Sequence, residues 1–322
     1  MQYGQVANLD KEVSRLVQGS IMLSEKKMES GFALLDAAFA MGCNTIDGAH
    51  LYGGGTCERV LGRWMQARGN RDEIVVISKA SHHNVDRKRV TPFDIAADLH
   101  DSLARLRTDH IDLYFLHRDD PDVPVGPIVE SLNEHCAAGR IRVFGGSNWA
   151  PGRIREANDY AAQHKLVPFV ASSPNFTLAE QVEEPWEGCL TISGPSQEAA
   201  RQWYAERDMP LFTWSSLARG FFSGRLSRAN FEQVRGNMDQ SCVHSYCYEQ
   251  NFQRLDRVAE LAQEKGKSVP QIALAWVLQQ PLNIFALVGC ETPDEFKANC
   301  DALEFKLSAT ELAWLDLRRD SR

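Results

Sequence analysis

Four residues of different chemistry stand at or just past the ends of apolar, β-type runs. In NTIDGAHLYGGG, Asp47 closes such a run and Tyr52 follows five residues later; VVISKA carries Lys79, and LYFLHRDD carries His117. Singly, each has a structural reading. Asp47 could cap a helix, Tyr52 could be an interface aromatic, Lys79 a solvated strand end and His117 a satisfied core histidine. Taken together, an acid, a phenol, an ammonium and an imidazole suit proton transfer to a carbonyl oxygen. A free tyrosine has a pKa of about 10, poorly matched to neutral pH. A neighbouring lysine ammonium would stabilise the phenolate and lower that value, and Asp47 would hold Lys79 charged and oriented. His117 could donate a hydrogen bond to the substrate oxygen. None of the four transfers hydride, so the chemistry calls for a cofactor.

Such a set works only if the chain brings those strand ends together. Candidate strands are 15–19, 44–47, 74–78, 112–116, 142–146, 169–172, 211–215 and 284–288, eight in all. Helical patterns lie between them. In SGFALLDAAFAMG, Phe32, Leu35, Ala38 and Phe39 share one face and Gly42 closes the segment. CERVLGRWMQAR follows, then 91–106, which opens with a Thr cap, a proline and an acid. Further helices are expected near 126–138, 151–163, 196–207 and 294–303, and SATELAWLDLRRD reads as a final capped amphipathic helix packed outside. Strict alternation of this kind demands a parallel sheet covered by helices, and eight repeats favour closure into a (β/α)8 TIM barrel, an α/β fold occupying 1–322 as one domain. The segments 176–194 and 217–248 interrupt the pattern. Both follow strands, which places them over the C-terminal mouth where barrels bind substrates.

Composition narrows the function classes. The net charge is -8, and 43% of the 322 residues are hydrophobic, enough for a full core. An acidic chain is a poor match for nucleic acid or an anionic membrane surface. No run approaches the roughly 20 apolar residues of a membrane span, and the N-terminus has no signal-peptide core, so a cytoplasmic location is expected. The eight cysteines are scattered without a CxxC pair or metal-ligand spacing, which reads as reduced thiols rather than a disulfide framework or a metal site.

The segments IDGAHLYG, ISK and FLHR, with GGSNW and LFTWSSLARGFFSGR, resemble the aldo-keto reductase superfamily over about 15–299. The resemblance implies that Asp47, Tyr52, Lys79 and His117 form the catalytic tetrad, with Tyr52 as acid/base. It also implies an extended NAD or NADP cofactor bound across the barrel mouth without a dinucleotide fingerprint. The glycines Gly53–Gly55 lack the βαβ context of such a fingerprint and read as a turn. By the same resemblance Ser147 and Asn148 bind the carboxamide, and Trp214 stacks on the nicotinamide. Ser215, Leu217, Arg219 and Gly220 hold the pyrophosphate, Gly19, Ser20 and Ile21 lie near cofactor and substrate, and Asn299 binds adenine. Trp214 could equally be core and Ser215 a strand-end cap.

Two positions depart from the family's habit. ASSPNF offers Ser173 where a carboxamide-binding glutamine is common. In GCETPDEFKAN, Glu291 and Glu295 stand where arginine or lysine commonly meets the 2′-phosphate of NADP, with Lys297 the only base. Carboxylates repel a phosphate and accept hydrogen bonds from ribose hydroxyls, so NAD(H) is the expected cofactor. The mouth is expected to be lined by His50, Trp149 and Trp186, a surface that fits a sugar, another polyol or an aldehyde. The function expected is hydride transfer between nicotinamide and a small polar carbonyl or alcohol. The alternative is a nicotinamide-binding regulatory subunit or sensor with little turnover.

Overall fold

The computed structural model describes residues 1–322. Eight parallel strands close on themselves: β3 (Leu16–Gly19), β4 (Thr45–Asp47), β5 (Val75–Ala80), β6 (Ile111–Leu116), β7 (Ile141–Ser147), β8 (Ala171–Ser173), β9 (Leu211–Thr213) and β10 (Ile284–Val288), the last pairing with the first. Period-two alternation sorts their side chains into two cores. Val17, Val75, Ile77, Leu113, Phe115, Val143, Phe212 and Phe285 fill the barrel interior. Leu16, Ile46, Val76, Tyr114 and Phe144 face the helices in a larger outer cluster. This is the (β/α)8 barrel that the strand count implies.

The N-terminal end of the barrel is closed by an antiparallel pair, β1 (Tyr3–Gly4) and β2 (Val13–Ser14), which the sequence reading did not include. Val6, Leu9 and Val13 join the interior cluster from this hairpin. It plugs the end opposite the mouth.

Local chemistry sets the element boundaries. The helix α3 (Pro92–Leu106) starts as read, with the Thr91 hydroxyl accepting from the Asp94 amide. Strand β8 begins two residues later than expected, because the Asn158 side chain accepts from the Phe169 amide and donates to its carbonyl, diverting both from the ladder. Strand β9 ends two residues early. Ser215 has φ of 54°, a left-handed conformation that cannot continue a strand. The four helices between β9 and β10 are also absent from the sequence reading, two short ones (Phe231–Val234 and Gln240–Tyr246) and two long ones, α9 (Glu249–Lys265) and α10 (Val269–Leu278). The last helix, α12 (Ala309–Leu315), has the expected capping box of Ser308 and Glu311 and buries Trp314 and Leu315. All eight cysteines are free, and no helix is long and apolar enough to cross a membrane.

Candidate active site

The strand ladders continue as backbone hydrogen bonds past the strand ends. Ser20 N–H donates to the Asp47 carbonyl, His50 N–H to the Lys79 carbonyl and His117 N–H to the Ala80 carbonyl. Successive strand ends are thereby held in register around one mouth. Asp47, the last residue of β4, and Lys79, in β5, are each 3% exposed. Lys79 Nζ donates to Asp47 Oδ1 at 2.5 Å, to the Gly48 carbonyl at 2.8 Å and to the Tyr52 hydroxyl at 3.5 Å. Tyr52 is returned to the mouth by a turn through Gly53, Gly54 and Gly55, with φ of 56°, 59° and 86°. A side chain at Gly55 would also collide with Arg105, its Cβ lying 2.6 Å from the guanidinium. The Tyr52 and His117 rings meet edge to face at 5.8 Å. The four residues singled out by chemistry therefore converge.

Burial governs their protonation. It pushes the Tyr52 phenol above its ordinary value, against the opposing pull of the Lys79 ammonium. Sequence reasoning expected the lysine to win; the protein-enclosed site reverses the sign. Burial also opposes the charge on Lys79, but the Asp47 carboxylate and the Tyr52 oxygen outweigh it and hold the ammonium more firmly protonated. The Asp47 carboxyl is raised by burial and drawn back by Lys79. His117 is driven well below its usual range by burial, then by Lys79, His82 and Arg118, which keeps the imidazole neutral. Its Nδ1 is buried without a partner, and His82 packs edge-on against the ring at 4.9 Å.

The residues expected to hold a cofactor ring the same mouth. Ser147 Oγ donates to the Ser173 carbonyl, and Ser173 Oγ donates to the Phe212 carbonyl. Asn148, at φ of 59°, donates to the His117 carbonyl and accepts from the Leu190 amide. Ser20 is buried with its hydroxyl unpartnered, Gly19 is half-buried beside it and Ile21 is exposed. Trp214 is half-buried and stacks on Trp186 with ring centroids 5.5 Å apart. Beyond it Ser215, Ala218, Arg219 and Gly220 all have positive φ. That winding leaves the Ser216 and Leu217 amides without acceptors in the chain, an anion-binding concavity of the kind phosphates occupy. Arg219 borders it, paired with Asp239 at 2.6 Å.

At the far edge, Glu291 is exposed, while Glu295 accepts from the Glu291 amide at 2.8 Å and faces Arg225 at 3.5 Å. Arg225 was not singled out in the sequence. Asn299 is buried and donates to Cys290 Sγ at 3.1 Å.

One expected substrate contact, Trp149, needs correction. Trp149 is 0% exposed, with its indole donating to the Arg118 carbonyl and its ring against Phe169, so it is core beneath the mouth and does not line it. Solvent-ward placement fails because Asn148 takes the left-handed turn and sends the next side chain inward. His50 faces α3, with its ring nitrogens 3.6 Å from Asp98 and 3.2 Å from Asp101. Trp186, by contrast, does reach across the mouth to Trp214.

These residues fit a dinucleotide on three counts. The aromatic face of Trp214 suits a nicotinamide ring, the free amides after it suit a pyrophosphate, and the buried unpartnered His117 Nδ1 and Ser20 Oγ leave polar capacity at the mouth unused. Comparison with known proteins points the same way. The sequence model of the aldo/keto reductase family matches residues 15–317. The chain is similar to norsolorinic acid reductase stcV of Emericella nidulans, at 28% identity over 88% of this chain and 70% of that one. It is similar to an aryl-alcohol dehydrogenase [NADP(+)] of Phanerodontia chrysosporium, at 26% over 89% of this chain and 75% of that one. It is also similar to protein tas of Escherichia coli, at 27% over 98% of this chain and 97% of that one.

Proposed function

The chain belongs to the aldo/keto reductase family, and from that premise we propose that it moves hydride between NAD(H) and a small polar aldehyde, ketone or sugar, with Tyr52 as the acid/base. Family membership makes it an NAD(P)H-dependent oxidoreductase of carbonyl compounds. The observation that carries the finer reading is the chain Asp47–Lys79–Tyr52 at the barrel mouth, buried at the ion pair and half-buried at the phenol.

A bound nicotinamide would supply the hydride that no side chain here can carry. In reduction the Tyr52 hydroxyl donates its proton to the carbonyl oxygen as negative charge develops there. The raised pKa of Tyr52 suits this role, because the phenol is protonated at working pH. As the proton leaves, the Lys79 ammonium 3.5 Å away meets the new phenolate charge. Asp47 keeps that ammonium in place and charged. Neutral His117 donates one ring N–H to the same substrate oxygen and orients it. In oxidation Tyr52 returns as the base. Trp214 would stack on the nicotinamide, and the Ser216 and Leu217 amides with Arg219 would take the pyrophosphate. Ser147, Asn148 and Ser173 would bound the carboxamide end.

Glu291 supports NAD(H) over NADP(H), since an exposed carboxylate there repels a 2′-phosphate and can accept from ribose hydroxyls. Steady-state rates on aldehydes and sugars with both cofactors, in both directions, test the reading. Turnover above cofactor binding alone separates an enzyme from a nicotinamide-binding regulatory subunit; binding without turnover would contradict the proposal.

A further inference from the structure

Three cations are buried in this protein: Lys79, Arg254 and Arg118. Lys79 is paired with Asp47 at 2.5 Å and Arg254 with Asp316 at 3.3 Å. Arg118, 7% exposed and directly after His117, has no carboxylate partner. The acids around it are engaged elsewhere: Asp119 with Arg153, Asp120 with Lys88, and Glu184 with the Gly188 amide. Its Nη1 donates to the Gly188 carbonyl at 3.0 Å, and the neighbouring Cys189 thiol, which burial pushes up to about 11, brings no charge to it. A buried guanidinium left without an opposite charge is costly, so this arrangement persists only where something offsets it.

The groups beside Arg118 share its deficiency. Its Cζ lies 5.8 Å from the ring of Trp186, which stacks on Trp214, and both indole N–H groups are buried without acceptors. His117 Nδ1 and His83 Nε2 are also buried and unpartnered. Burial and the nearby cations, Arg118 among them, lower the pKa of His82, His83 and His117, as expected where positive charge is already unbalanced. Guanidinium and indole nitrogens donate and cannot accept. What this wall lacks is an acceptor carrying negative charge.

We propose that Arg118 is the anchor for an anionic group on the substrate, a carboxylate or a phosphate borne by the same molecule as the reacting carbonyl. The proposal rests on the oxidoreductase reading and narrows it to charged aldehydes, ketones or sugar derivatives. Arg118 is suited to this because its planar fork can take two oxygens of either oxyanion at once. Its hydrogen bond to Gly188 fixes one edge and leaves the remaining donors for the ligand.

The test compares kcat/KM for 4-oxobutanoate against butanal and for glyceraldehyde 3-phosphate against glyceraldehyde. It uses the wild type, Arg118→Met and Arg118→Lys. The wild type should prefer an anionic member over its neutral counterpart by about tenfold to a hundredfold, the range of charge-assisted hydrogen bonds. The preference should lie in KM, collapse in Arg118→Met and survive in part in Arg118→Lys. Whichever pair shows it identifies carboxylate or phosphate as the source. Equal efficiency on charged and neutral substrates, or a preference that survives Arg118→Met, overturns the proposal. Should Arg118→Met fail to fold, the wild-type ratio, its fall with added salt and the Arg118→Lys value decide. Absence of turnover on every substrate with both cofactors would sink the oxidoreductase reading separately. In that event quenching of tryptophan fluorescence by succinate and by inorganic phosphate still reads the anchor: quenching weakened in Arg118→Lys and lost in Arg118→Met supports it, and no wild-type quenching, or quenching unchanged in both variants, overturns it.

Discussion

Lys79 Nζ stands 2.5 Å from Asp47 Oδ1 and 3.5 Å from the Tyr52 hydroxyl. The ammonium is committed to the carboxylate and merely within reach of the phenol. Burial therefore outweighs the lysine in the resting state of Tyr52, and on the proposed mechanism Lys79 acts chiefly once a phenolate begins to form.

Lys79→Met removes the only cation facing that phenolate. Oxidation should slow by about 10²–10⁴-fold, and the inflection that marks Tyr52 ionisation should move to higher pH. Asp47 would be left buried and unpaired, at a cost of about 3–5 kcal/mol in stability. The double variant Asp47→Asn/Lys79→Met should recover part of that loss. Denaturant melts and pH–rate profiles read both effects, and an unmoved inflection would remove Lys79 from the mechanism.

The folded-state pKa of His117 lies well below its ordinary value near 6.5, while the unfolded chain keeps that ordinary value. Below pH 6.5 the unfolded state therefore binds a proton that the native state refuses, and stability falls as pH falls. His82 shifts in the same direction, first by burial. The denaturation midpoint should drop from pH 7 to pH 5 and hold steady above. His117→Gln, which keeps a donor but cannot titrate, should flatten that slope; an equally steep slope in the variant would refute the assignment.

Much of the site is visible in the chain because each tetrad residue except Tyr52 sits at an apolar β-run, where a buried strand has no other use for a charge. Tyr52 was recoverable from the glycines that follow it. Geometry beyond the strand ends was less legible. Trp149 follows a left-handed Asn148, and no pattern in GGSNW announces that the indole turns inward. Arg118 lies within the FLHR motif, yet its lack of a partner depends on where Asp119 and Asp120 point. The helices Glu249–Lys265 and Val269–Leu278 follow the long mouth segment without a strand between them, so counting β-α pairs passes over them.

Trp214→Ala should weaken nicotinamide cofactor binding by roughly tenfold, since aromatic stacking contributes about 0.5–1.5 kcal/mol. The fold should persist, because Trp214 is half-buried, stacks on Trp186 and rests only on the edge of the barrel-interior cluster. Fluorescence titration with NADH measures it. An unfolded variant, or unaltered affinity, would return Trp214 to the core.

On the proposed reading, cofactor choice turns on a single exposed acid: Glu295 is occupied by the Glu291 amide and Arg225, which leaves Glu291 as the carboxylate free to meet an adenosine ribose. Wild-type kcat/KM should be higher with NADH than with NADPH, and Glu291→Arg should reverse or narrow the ratio. A wild-type preference for NADPH would mean that Arg225 or Lys297 supplies a phosphate contact.

Tyr52→Phe removes one oxygen and leaves the ring against His117 in place. The decisive measurement is the single-turnover rate of this variant at saturating NADH, taken with its NADH dissociation constant. The account predicts a rate lower by about 10²–10⁴-fold with cofactor affinity nearly unchanged. A variant that reduces substrate at the wild-type rate would contradict Tyr52 as the proton donor.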